Sequence, residues 1–107
     1  MKVSKNEVRF SLGEVDEAVK VLSERVGIRD DLLKEVIEVL LDDWMDEGLG
    51  YCSECELRDC CDYIGEYGIP RLEIEEVVFF NRGGGWKAYP IFNCGMDLEK
   101  VNIEEVL

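Results

Sequence analysis

One stretch in the C-terminal half of this 107-residue chain decides the fold class, LEIEEVVFFNRGGGWKAYPIF over residues 72–92. Its two ends, about residues 72–80 and 86–93, are rich in the β-branched and aromatic side chains that favour strands. The glycines at 83–85 lie in a short loop between these apolar runs, which is typical of a turn between paired strands. The sequence therefore predicts a β-hairpin over about residues 71–94.

The N-terminal half of the chain predicts one short strand followed by two helices. Residues 7–11 alternate apolar and polar side chains, which indicates a strand. Apolar side chains then recur at three- and four-residue steps over about residues 13–26 and 31–47, as they do on one face of a helix. Ser11 and Glu14 have the spacing of a capping box, which places the start of the first helix just after the strand.

The second predicted helix carries a wide apolar stripe. Its apolar positions are Leu32, Leu33, Val36, Ile37, Val39, Leu40, Leu41, Trp44 and Met45. A helix on the surface of a globular protein needs a narrower stripe. Either the helix is central and covered on two sides, or one side packs in the core and the other against a second subunit. The stripe therefore favours a homodimer.

Together these elements predict a single α+β domain over residues 1–107, because this length is too short for two ordinary domains. Two or three helices pack on a small antiparallel sheet with the hairpin in the C-terminal half. The helical part spans about residues 12–64 and contains a cysteine cluster at 52–61, and the hairpin part spans about 71–94. The last segment, residues 98–107, fits either a strand or a short helix, and residues 101–106 are a possible further strand of the sheet.

The composition is strongly acidic. Twelve Lys and Arg residues stand against 25 Asp and Glu residues, which gives a formal net charge of −13. Such a chain repels nucleic acid and anionic membranes, so neither is expected as a partner. The chain has no histidine, which excludes a Ser-His-Asp triad, a Cys-His dyad and His-ligated zinc. No nucleophile–base pair can be assigned, so we expect a non-enzymatic protein.

Two groups of charged residues are candidate binding sites. The first consists of four carboxylates near the end of the second predicted helix: Asp42, Asp43, Asp46 and Glu47. Three- and four-residue spacings bring such side chains together, and the group can receive a basic protein partner or a divalent cation. The second consists of two cations beside the glycine-rich hairpin loop, Arg82 and Lys87, which can contact a phosphate or a carboxylate.

Five cysteines form the most informative chemical pattern, four of them within ten residues: Cys52, Cys55, Cys60, Cys61 and, further on, Cys94. In the absence of histidine, a transition-metal site would consist mainly of thiolates. The Cys52-x-x-Cys55 spacing lets both sulfurs face one ion, whereas the adjacent side chains of Cys60 and Cys61 diverge. The predicted site for zinc or an iron–sulfur cluster is therefore Cys52, Cys55, Cys60 and Cys94.

Disulfide bonds are the alternative use of these cysteines. The four clustered residues Cys52, Cys55, Cys60 and Cys61 can form two short-range bridges in three pairings, which leaves Cys94 unpaired. The absence of glutamine and threonine and the many charges are typical of a thermophile, in which intracellular disulfides persist. Residues 51–55, Tyr-Cys-Ser-Glu-Cys, also resemble the Tyr-Cys-x-x-Cys of glutaredoxin-like redox proteins, although a helix rather than a strand precedes them.

No targeting or membrane-spanning segment is predicted. The first seven residues have no apolar run behind their lysines, and the apolar-rich stretch 36–44 is interrupted by acidic residues. We therefore expect a cytoplasmic, acidic interaction protein that offers a negative face to a basic partner, mimicry of nucleic acid being one form of this. The alternative is a cysteine-site protein, either a zinc or iron–sulfur module or a thiol redox protein.

Overall fold

A computed structural model describes residues 1–54 and 72–106, without the side chains of Cys52 and Ser53. Its elements in chain order are β1 (Lys2–Val3), β2 (Glu7–Phe10), a 3-10 turn (Leu12–Glu14), α1 (Val15–Val26), α2 (Asp30–Ser53), β3 (Ile74–Asn81), β4 (Trp86–Phe92), β5 (Val101–Asn102) and α3 (Ile103–Val106). The predicted α+β class, with helices and an antiparallel sheet that contains a C-terminal hairpin, is confirmed.

The described strands form one antiparallel sheet in the order β1-β2-β3-β4-β5. β3 and β4 pair from Ile74–Phe92 to Asn81–Trp86, which confirms the predicted hairpin. β2 pairs with the other edge of β3, as expected for residues 7–11. The described residues of the last segment, 98–106, contain both alternatives, because the two-residue strand β5 is followed at once by α3. The equally short edge strand β1 was not predicted.

The sheet buries its inner face against the helices. Residues on this face form one apolar core with the buried residues of α1 and α2: Val8, Phe10, Val77, Phe79, Ala88 and Phe92. Val78 and Phe80 are also buried but do not belong to that core. Because successive side chains of a strand point to opposite faces, these two lie on the outer face. Burial on both faces explains why residues 77–80 of β3 form a continuous apolar run rather than an alternating one.

α1 is bounded by two local signals. At its start the Glu14 carboxylate accepts hydrogen bonds from the Ser11 N–H at 3.1 Å and from the Ser11 hydroxyl at 3.0 Å, so the predicted pairing of these two residues is observed. At its end Gly27 has φ +80° and donates its N–H to the Ser23 carbonyl at 3.0 Å. Only glycine adopts this left-handed conformation without strain, so the helix ends there.

α2 is longer than the sequence predicts. We expected it to end near residue 47, before two glycines, but it runs to Ser53. A Cβ atom on Gly48 would lie 2.7 Å from Cζ of Phe92 and 2.8 Å from Cδ2 of Leu72, so this glycine allows the helix to approach β4 closely. Tertiary packing therefore outweighs the low helix propensity of glycine. Cys52 therefore lies in the last turn of α2.

Residues 55–71 lie outside the described part of the chain. They include residues 55–64, the last part of the predicted helical region. In the two described ranges, no helix has both the length and the apolar sequence that a membrane span requires.

Candidate functional site

The outer side of α2 is acidic. The 24 residues of the whole helix include eight carboxylates and a single lysine. The four carboxylates predicted from the sequence are all exposed: Asp42, Asp43, Asp46 and Glu47. Residues three or four positions apart share one side of a helix, so Asp42 and Asp46 continue a line that begins about two turns earlier at Glu35.

Apolar side chains interrupt this acidic side. Leu32 is 39% exposed and Val39 is 52% exposed, whereas Val36 and Ile37 of the same stripe are buried in the core. The wide stripe is therefore mostly intramolecular, and its outermost members remain on the surface. We call the whole region the acidic helix surface: Leu32, Glu35, Val39, Asp42, Asp43, Asp46 and Glu47.

The carboxylates near the C-terminal end of this surface have no cationic partner in the described ranges. The ion pairs of α2 lie at its other end, where Lys34 Nζ is 3.0 Å from Asp16 Oδ1 and Arg29 Nε is 3.5 Å from Asp31 Oδ1. The hydrogen bond to Asp16 raises the pKa of Lys34. No three carboxylates or thiols come together as a potential metal group among the described residues. The surface thus suits a partner with spread positive charge better than a single cation.

The outer face of the sheet is basic and aromatic. The register places Phe80 opposite Lys87, and Tyr89 follows on the same face. The rings of Phe80 and Tyr89 meet edge to face with their centroids 5.8 Å apart. The Arg82 guanidinium lies 5.5 Å from the Phe80 centroid, and the Lys100 ammonium lies 5.1 Å from the Tyr89 centroid. We call these five residues the basic sheet surface.

The two ring contacts fix the position of the cations without neutralising them. A cation over an aromatic face is attracted by the ring quadrupole. A guanidinium stacked in this way still offers the N–H groups in its plane, which match a carboxylate in two parallel hydrogen bonds. Within residues 1–54 and 72–106, none of the ion pairs involves Arg82, Lys87 or Lys100. The surface therefore presents anchored, unpaired cations to an anionic group.

Of the residues on this surface, the sequence pattern predicts only Arg82 and Lys87 as binding residues. Phe80 and Tyr89 were assigned to the strands, although the alternation of faces along β3 contains a signal: Phe79 faces the core, so Phe80 faces the other way. No local sequence pattern marks Lys100 as part of this surface, because only the return of the chain after β4 brings it over Tyr89.

The predicted cysteine site lies only partly in the described ranges. Cys94 is a free, exposed cysteine just after β4, and Cys52 lies in the last turn of α2. Tyr51 lines a cleft of about 450 Å³ together with residues 96–100, so the chain next to Cys52 comes close to the chain that follows Cys94. The other cysteines lie outside the described residues: Cys55, Cys60 and Cys61. The metal set and the disulfide alternatives both stay predictions.

A second cleft, of about 310 Å³, lies beside the first strands and is lined by Met1, Arg9 and Glu14 among others. The N-terminal ammonium of Met1 is 2.6 Å from Oε2 of Glu14. This hydrogen bond, followed by those from Ser11, lowers the pKa of Glu14 to about 2. The cations and carboxylates of this cleft balance one another, so its main effect is to tie β1 to the 3-10 turn.

No family model, no curated protein and no solved structure matches the chain.

Proposed function

We propose that this protein is a non-enzymatic interaction module whose acidic helix surface binds a basic polypeptide. The supporting observation is the combination, on one side of α2, of carboxylates without a cationic partner in the described ranges and of exposed apolar side chains. Opposite charge speeds the encounter and fixes its orientation, whereas apolar contact area gives lasting affinity. A surface with only carboxylates would offer the first of these and lack the second.

The partner that fits is a basic amphipathic helix. Val39 has carboxylates three and four positions after it, so an apolar side chain of the partner can pack there while lysines or arginines reach Asp42 and Asp43. One form of this function is mimicry of nucleic acid, in which these carboxylates occupy the positions of phosphates on a nucleic-acid-binding protein.

The probe for this function is a synthetic helical peptide of lysine and leucine, compared with the same peptide in which glutamate replaces lysine. We expect the basic peptide alone to bind, measured by calorimetry, and to remain bound in about 0.3 M salt, where exposed charges are largely screened. Asp42→Asn/Asp46→Asn should weaken binding about fivefold to tenfold, since two exposed ion pairs are lost. Val39→Ser should weaken it without changing the charge.

The matched control is Glu17→Gln/Glu24→Gln, which removes two exposed carboxylates from α1 instead. It should bind the basic peptide as the wild type does. Equal weakening by the α1 and α2 variants, or binding that disappears in about 0.3 M salt, would show only non-specific attraction to a chain with a net charge of −13 and would contradict the proposal.

A second candidate function is a thiolate metal site of Cys52, Cys55, Cys60 and Cys94, which would hold zinc or an iron–sulfur cluster. It is favoured by the cleft that Tyr51 shares with residues 96–100. Metal analysis and a thiol count on protein purified with and without air test it. Stoichiometric zinc or an iron–sulfur absorption band would support it if Cys94→Ser lowers the metal content or the intensity of that band. Accessible thiols without metal would exclude it, and missing thiols without metal would identify disulfides.

A further inference from the structure

The two charged surfaces lie on opposite sides of the molecule. The core lies between α2 and the inner face of the sheet, so the acidic helix surface points away from the sheet. The basic sheet surface lies on the outer face of the sheet, which is the face turned away from the core and from α2. Each copy of the chain therefore exposes an acidic side and a basic side that do not meet within the copy.

We infer that the basic sheet surface binds the acidic helix surface of a second copy, so that copies associate head to tail. This inference rests on the proposed function, because it uses the same acidic helix surface and adds a second basic partner for it. Two acidic helix surfaces facing each other would oppose carboxylates to carboxylates, and two basic sheet surfaces would oppose cations to cations. Of the three pairings, only the head-to-tail one joins opposite charges.

The outer face of the sheet is wide enough for the length of the acidic helix surface. From Leu32 to Asp46 a helix rises about 21 Å at 1.5 Å per residue. Five strands spaced about 4.8 Å apart give a sheet about 19 Å wide. In such a contact, carboxylates such as Asp42 and Asp46 meet the anchored cations Arg82 and Lys100. The net charges of the two copies repel each other, but this repulsion is screened beyond about 8 Å at physiological ionic strength, whereas groups in contact are screened much less.

The same observations favour a protein over a single-stranded nucleic acid on the basic sheet surface. Nucleic-acid-binding sheets stack bases on free aromatic faces. Here Arg82 already covers Phe80, which is only 8% exposed, and Lys100 covers Tyr89. The rings thus position cations for carboxylates rather than offering a stacking platform.

A head-to-tail contact does not close on itself in a dimer, and this gives the decisive experiment. The average mass of the wild type, measured by sedimentation velocity in about 0.15 M salt, should rise past the dimer with concentration and return to the monomer in 1 M salt, where the Debye length is about 3 Å. A helix variant, Asp42→Lys/Asp46→Lys, and a sheet variant, Arg82→Gln/Lys100→Gln, should each be monomeric. An equimolar mixture of the two should form a one-to-one dimer and nothing larger, because each variant keeps one intact surface.

All four substituted side chains are exposed, so the variants should fold, which circular dichroism checks. Matched controls change the same charge elsewhere: Glu17→Lys/Glu24→Lys on α1 for the helix variant and Lys5→Gln/Lys20→Gln for the sheet variant. Both controls should associate like the wild type.

Three outcomes would overturn the inference: a wild type that stays monomeric, association that neither variant weakens, or a mixture that stays monomeric. A further outcome is a wild type that stays monomeric and binds a single-stranded oligonucleotide. If the sheet variant loses that binding, the basic sheet surface is assigned to nucleic acid instead. The basic peptide separates this inference from the proposed function, because the sheet variant should still bind it. A monomeric wild type that binds the peptide through α2 refutes self-association alone.

Discussion

Gly48 of α2 lies directly against Phe92 of β4, and a Cβ atom on the glycine would be 2.7 Å from Cζ of the ring. The same Cβ atom would be 2.8 Å from Cδ2 of Leu72, and both neighbours are buried. The contact sets how closely the last turns of α2 approach the sheet. It also places the end of the helix, with Cys52, near the turn that contains Cys94.

Gly48→Ala should therefore destabilise the protein even though alanine favours helices. Overpacking against two buried side chains costs about 1–3 kcal/mol, which exceeds the helix gain of up to about 1 kcal/mol. Gly50→Ala is the matched control in the same helix, because a Cβ atom there meets no atom of the described residues within 4 Å. It should leave stability unchanged or raise it. Urea unfolding measures both, and a stabilising Gly48→Ala would show that α2 is not in close contact with Phe92.

Trp44 is 2% exposed, and its indole Nε1 has no hydrogen-bond partner among the described residues. An unsatisfied buried N–H costs about 1–3 kcal/mol, so Trp44→Phe removes a penalty together with some apolar contact. We expect a change in the free energy of unfolding within about 1.5 kcal/mol for Trp44→Phe and a loss of about 3–5 kcal/mol for Trp44→Ala. Urea unfolding followed by circular dichroism compares them. Equal, large losses would mean that the indole N–H is satisfied, for example by a buried water.

The pairing of Glu14 with the Met1 ammonium and with Ser11 makes stability depend on pH. The pKa of Glu14 is lowered from 4.5 to about 2 in the folded protein. Because the folded value is the lower one, the stabilisation is complete above pH 4.5 and is lost as pH falls towards 2. Glu14→Gln should lower Tm at pH 6 and reduce the further loss of Tm between pH 6 and 3. Glu17→Gln, which forms none of these bonds, should follow the wild-type profile.

The acidic helix surface should reduce the stability of the protein. Asp42 and Asp46, and likewise Asp43 and Glu47, are like charges four residues apart, and each such pair costs about 0.2–0.5 kcal/mol. Asp46→Asn should raise the free energy of unfolding by about this amount in low salt, and the gain should shrink in 1 M salt. The Asp42→Asn/Asp46→Asn variant would then be more stable and bind the basic peptide more weakly. A loss of stability would instead indicate that these carboxylates have partners within the fold.

Local sequence patterns determined most of the elements of this protein. Alternation predicted β2, the glycine-rich loop predicted the β3–β4 hairpin, and three- and four-residue spacing predicted both long helices and the acidic group on α2. Such features depend on neighbours a few residues away, so the chain specifies them without its tertiary structure. The absence of histidine likewise excludes any histidine-ligated metal site, whatever the fold.

Only the tertiary structure decided where α2 ends and which side chains form the basic sheet surface. Glycine favours the end of a helix in isolation, but packing against Phe92 keeps Gly48 helical, and that contact joins residues 44 positions apart. Lys100 lies over Tyr89 because the chain returns after β4, and Arg82 lies over Phe80 because both are on the outer face. These relations depend on sheet register and on contacts between segments distant in sequence, which a one-dimensional pattern does not contain.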